Sequence, residues 1–143
     1  MQRICSPRRG PWLVLAGLAV LAAGCNSGGP YPVRGQLVYE DDGQPVKELA
    51  DQDITFTSAK LGIEARGTIR EDGTFELKGK DGAYPGEYVV VVTQPERKPE
   101  RPYRGDPVVE RSYEDPEKSD LRAEVKADGN NNFTFKLRRL KKK

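Results

Sequence analysis

Histidine is absent from the 143 residues. With it go the side chain that most often moves protons near neutral pH and the commonest metal ligand. What remains for chemistry is two thiols, Cys5 and Cys25, and several grouped carboxylates. Glu40, Asp41 and Asp42, with Asp51 and Asp53, could gather round a hard cation such as Ca²⁺, which takes several oxygen ligands. The spacing of an EF-hand loop is missing, however, and carboxylates in turns are usually solvated. The same carboxylates are the few candidates for acid–base work, and no pocket can be inferred around them. There is no Gly-x-Ser-x-Gly elbow, and Gly79-Lys80 lacks the preceding glycine of a phosphate loop. The chain therefore reads as non-enzymatic, with no catalytic residue, no metal ligand and no cofactor implied.

The thiol of Cys25 has a more specific context. Residues 1–9 are basic, 12–23 are apolar and rich in Leu, Val and Ala, and small residues precede Cys25, the three-part layout of a signal peptide. The apolar run is short of the roughly 20 residues that a spanning helix needs. Arg8-Arg9 invites a twin-arginine reading, but Gly10-Pro11 follows where apolar residues are wanted, so it is taken as an ordinary basic n-region. The run Leu21-Ala22-Ala23-Gly24-Cys25 resembles the bacterial lipobox, with Ala22 standing three places before the cysteine where leucine is usual. The resemblance implies cleavage between Gly24 and Cys25 and lipidation of Cys25, which becomes the mature N-terminus. Residues 25–31 are then a polar tether. Membrane affinity follows from burial of acyl carbons, and stable anchoring takes more than one chain.

Loss of residues 1–24 leaves Cys25 without a partner, so neither a disulfide framework nor a multi-cysteine zinc site holds the domain. Between Cys25 and Phe135 there are 15 basic and 22 acidic residues, while Lys136, Arg138, Arg139 and Lys141–Lys143 crowd the C-terminus. An acidic body without a basic stripe is a poor match for phosphate backbones, which argues against nucleic acid as a partner.

The elements that would carry any site are strands. From Val33 onward apolar residues alternate with period two between turn signals, the pattern of an all-β sandwich of one domain over 32–138. The strands are expected around Val33–Tyr39, Ile54–Ser58, Ile63–Ile69, Thr74–Leu77, Tyr88–Val92, Leu121–Val125 and Phe133–Leu137, seven in all. Asp72-Gly73 gives the sharpest hairpin signal, since Asp-Gly suits the turns that match strand twist. The consecutive apolar residues Tyr88–Val92 imply a strand covered on both sides or at least central. The last two strands are expected to pair around Asp128-Gly129-Asn130-Asn131.

The order of four short pieces resembles the carboxypeptidase regulatory-like, or transthyretin-like, domain, especially in small planctomycetal lipoproteins. The pieces are Tyr31–Tyr39, Asp42–Val46, Glu71–Phe75 and Gly82–Tyr88, with Leu121–Leu137 closing the domain. The resemblance implies a seven-stranded, immunoglobulin-like antiparallel sandwich that serves as a structural or binding module. The enzymes of the transthyretin-like group depend on histidines, which this chain lacks.

Residues 94–120 form a Pro-rich, charged stretch longer than unstructured loops commonly run, and it is the expected interaction surface. Tyr103, Arg104 and Tyr113 are its candidate contacts, although both rings would serve equally to pin the loop, which is the favoured reading. Arg104-Gly105-Asp106 matches an adhesion tripeptide by a length that chance supplies. Asn132-Phe133-Thr134 fits a glycosylation acceptor but falls where a strand starts. The basic tail, 139–143, is expected to solubilise the chain end, with contact to anionic lipid or wall polymer as the alternative. The sequence thus points to an exported, lipid-anchored envelope module. Its partners would be the membrane and an unidentified envelope protein or polysaccharide, and the alternative is a surface protein binding carbohydrate or calcium.

Overall fold

The computed structural model describes residues 29–95, 107–127 and 129–140. Gly24, Cys25, Tyr103, Arg104, Asp128 and Lys141–Lys143 lie outside the described residues, as does the whole signal segment.

Seven strands form two sheets: β1 (Val33–Tyr39), β2 (Asp53–Ser58), β3 (Ile63–Thr68), β4 (Thr74–Leu77), β5 (Gly86–Val92), β6 (Arg122–Val125) and β7 (Asn131–Leu137). The three-stranded sheet runs β4-β1-β7 and the four-stranded sheet β3-β2-β5-β6. The sandwich and its strand count are those read from the alternation. Three details of pairing differ.

The first is the Asp72-Gly73 reversal. It is a tight turn, with Gly73 at φ 75° and Asp72 Oδ1 accepting from the Thr74 N–H at 2.9 Å. The two arms nevertheless part into different sheets, their ladder pairing reduced to an Ile69–Phe75 bridge. The Leu37 N–H donates to the Gly73 carbonyl at 2.9 Å, which lays the turn on β1 and delivers β4 to that strand.

The second difference is at the C-terminal end. β6 pairs with β5, and β7 pairs with β1 in parallel, so the last two strands are not partners and the sandwich is not wholly antiparallel. The corner is made by Asn131, whose buried amide accepts from the Lys126 N–H at 2.7 Å and donates to the Lys126 carbonyl at 3.0 Å. One side chain thereby replaces a strand partner where β6 ends.

The third is β5. Tyr88, Val90 and Val92 are buried, whereas Val89 and Val91 are half-buried, so β5 is central as expected but not covered alike on both faces. A central strand with one solvated face accounts for this pattern, and β-branched residues suit that position.

Between the sheets the core centres on Phe56, whose ring lies 5.9–6.2 Å from those of Phe75, Tyr88, Phe133 and Phe135. Separations of this size are those at which aromatic pairs gain beyond area burial. Gly35 is what makes room for them. A Cβ there would meet the Phe133 carbonyl and stand 2.5 Å from Phe75 Cζ, so β1 must present bare backbone beneath the rings.

Strand pairing also extends past the expected domain edges. Tyr31, assigned to the tether, bridges Ala83, and Arg139, assigned to the tail, bridges Val109. The fold therefore runs from Tyr31 to Leu140, whose N–H donates to the Val108 carbonyl.

Candidate functional site

Cross-strand register places Arg34 of β1 opposite Glu76 of β4, both on the outward face of the three-stranded sheet. Lys78, two residues beyond Glu76, shares that face, and Arg70 reaches in from the preceding turn. Arg34 Nε is 2.6 Å from Glu76 Oε1, while Arg70 Nη2 and Lys78 Nζ are each 2.9 Å from Oε2. The glutamate side chain is only 10% exposed, whereas its three partners are mostly in solvent. Hydrogen bonds from Lys78, Arg34 and Arg70 pull the Glu76 carboxyl down to about 2. Three cations stand as a cradle around one carboxylate, beside open hollows of about 620 and 530 Å³ whose linings also include Asp51, Glu71, Asp72 and Asp81. Such a cradle is suited to hold a phosphate, sulfate or carboxylate group, since guanidinium donors match planar and tetrahedral oxyanions. It is not built to move protons, because Glu76 stays ionised through the neutral range.

The expected interaction loop is different in character. Gln94 is buried, and its amide oxygen accepts from the Val108 and Val109 N–H groups at 3.1 Å each, closing the base of the loop. Tyr113 sits in a 3-10 turn, Arg111–Glu114, with its ring 1% exposed. Its hydroxyl accepts from the Arg138 N–H at 3.2 Å, and the Arg138 guanidinium lies 5.5 Å from the ring centroid. Arg138 also reaches Glu110 at 2.8 Å and Asp120 at 3.0 Å. Tyr113 thus pins the described part of the loop to the last strand and is not presented to a ligand.

The acidic turn is likewise engaged. Arg139 bonds Asp41 at 2.9 Å and Asp42 at 2.6 Å. Asp53 faces Arg66 at 4.0 Å. Among the described residues no three of these carboxylates converge as a metal-binding group. The structure therefore does not bring together Glu40, Asp41, Asp42, Asp51 and Asp53.

The Glu76 cradle escaped the sequence reading. A Glu-x-Lys step on a strand was visible, but only the register adds Arg34 and only the turn adds Arg70.

No protein-family model matches the chain, and no curated protein matches it. Among solved structures, a DUF3823 family protein from Parabacteroides merdae is 14% identical with a TM-score of 0.45, over 78% of this chain and 46% of that one. The major pilin subunit of Bacillus cereus is 10% identical with a TM-score of 0.43, over 79% of this chain and 30% of that one. The chain spans less than half the length of either structure.

Proposed function

We propose that the protein is a lipid-anchored, non-enzymatic module of a bacterial cell envelope, held to a membrane through Cys25 and carrying a structural or binding β-sandwich. The observation that carries this reading is the Leu21–Cys25 run, closing a basic-then-apolar leader six residues before Tyr31 enters the fold. No helix among the described residues is long and apolar enough to cross a membrane. An acyl group on Cys25 supplies the attachment in this reading. The sequence pieces from Tyr31 to Leu137 resemble, in their order, the carboxypeptidase regulatory-like modules of small lipoproteins. The test is phase partition of the protein expressed in a bacterial host. The wild-type chain enters the detergent phase, and Cys25→Ala moves to the aqueous phase or stays unprocessed; equal partition of both sinks the anchor.

A second reading, a surface binder of acidic saccharide, is favoured by the Arg34, Arg70 and Lys78 cradle. Calorimetry with a uronic acid oligosaccharide tests it. Heat that vanishes in Arg34→Gln/Arg70→Gln supports the binder, and absence of heat in the wild type removes it.

A further inference from the structure

Strand directions sort the connecting segments onto two poles of the sandwich. The start of β1, the β2–β3 turn (59–62), the segment 78–85 and the β6–β7 turn (126–130) share one pole. The Tyr31–Ala83 bridge fixes the tether to that same pole, with Tyr31 N–H to Ala83 carbonyl at 2.8 Å.

Two of the three exposed large apolar side chains among the described residues are here, Leu61 at 43% and Tyr84 at 44%. Leu61 lies against Gly86, where an added Cβ would stand 3.0 Å from its Cδ1, and Tyr84 follows Ala83 directly. Around them Lys60, Lys80 and Lys126 are exposed, with Lys78 and Arg34 continuing the positive charge along the adjoining sheet. By sequence the three pole segments hold four lysines against Asp81 and Asp128. The opposite pole carries Glu40, Asp41, Asp42, Glu71, Asp72 and the acidic residues of 110–120, several of them paired to Arg138 and Arg139. The loops of the tethered pole thus carry more lysine than aspartate, with Glu64, Glu87 and Glu124 on the strand ends beside them.

We infer that this pole rests on the bilayer, with Tyr84 and Leu61 entering the interface and Lys60, Lys80 and Lys126 meeting anionic headgroups; the inference rests on the lipid anchor at Cys25. Six residues separate Cys25 from Tyr31, so full extension allows about 20 Å of reach, at roughly 3.3–3.6 Å per residue. A flexible chain of that length has a typical span nearer 13 Å. A tether this short lets the pole touch the surface, and within about 8–10 Å of it, a Debye length, lysines and an amphipathic tyrosine are favoured. The opposite pole is turned away, leaving the β1–β4 cradle on the flank.

The test uses the mature lipidated protein reconstituted into phosphatidylcholine vesicles with and without phosphatidylglycerol, some lipids brominated near the glycerol. Trp12, the one tryptophan of the chain, lies in the leader, so Tyr84→Trp provides a single reporter once the leader is removed. Leu140→Trp provides a matched reporter at the far pole. The inference expects blue-shifted, bromine-quenched emission from Tyr84→Trp and none from Leu140→Trp. It also expects quenching to fall when Lys60, Lys80 and Lys126 are changed to Glu, most in vesicles with phosphatidylglycerol. Equal, unquenched emission from both reporters in a protein whose mass shows the acyl chains overturns the inference while sparing the anchor. A mature mass without acyl chains overturns the anchor and the reach argument together.

Discussion

The guanidinium carbon of Arg139 lies 3.3 Å from the centroid of the Tyr39 ring while the same group bonds Asp41 and Asp42. Tyr39 ends β1, and Arg139 follows β7, its parallel neighbour. One side chain therefore clasps the turn after the first strand to the residue that closes the last. Tyr39 is in turn fixed by donating to Glu48 Oε2 at 3.0 Å, and burial foremost, with that bond, pushes its phenol up to about 12.

Loss of this clasp is expected to be measurable but modest. An exposed cation–π contact contributes about 0.5–1 kcal/mol and an exposed ion pair about 0.2–1 kcal/mol. Arg139→Ala should lower the urea midpoint by a small but measurable step. Arg139→Lys should recover only part, because an ammonium lacks the planar fork that reaches two carboxylates at once. Full recovery by lysine would mean that charge alone matters.

Glu76 sets an acid limb. Its folded pKa, about 2, is depressed below the ordinary 4.5, so its contribution is present above 4.5 and drains away as pH falls toward 2. Glu76→Gln should lower the melting temperature at neutral pH and flatten the fall in stability between those two values. The check is melting temperature against pH for both proteins; parallel curves would contradict the assignment.

Gly35 is the position least able to accept a side chain. Overpacking a tight core costs up to about 3 kcal/mol, and here the obstacles are a backbone carbonyl and an aromatic ring with no space to retreat. Gly35→Ala should reduce soluble yield and stability sharply, while Gly35→Ala with Phe75→Leu should recover part of the loss. Far-ultraviolet circular dichroism and thermal melts distinguish the three proteins.

Two buried amides do the work of missing strand partners. Asn131→Ala leaves the Lys126 N–H and carbonyl without their partner, at about 1–3 kcal/mol for each group that stays dry. Gln94→Ala releases Val108 and Val109. The first is expected to destabilise the whole domain in denaturant. The second is expected to speed limited proteolysis within 95–110 more than it shifts the global midpoint.

What the sequence could show follows from which forces are local. Alternation such as Ile54, Phe56 and Ser58 announces a strand because period two is a local property, and Asp72-Gly73 announces a turn for the same reason. Neither says which sheet the next strand joins. That is decided by Leu37 capturing the Gly73 carbonyl and by Asn131 standing in for a strand at Lys126, contacts between residues far apart or dependent on one amide. The Glu76 cradle was hidden for a like reason, since Arg34 lies 42 positions away. Tyr113 was legible in kind, as a ring suited to pin a loop, but Arg138 as its anchor was not, because the tail read as solvated charge. Cys25 is the reverse case: it is legible only in the sequence, through the leader before it.

The most direct test of the anchor is the intact mass of the mature protein taken from its native membrane, beside Cys25→Ala. The account requires a chain that begins at Cys25 with acyl mass added, and a variant that loses both the lipid and the membrane. A chain cleaved elsewhere, or one beginning at Cys25 with no added mass, would contradict it and make the sandwich a freely exported domain.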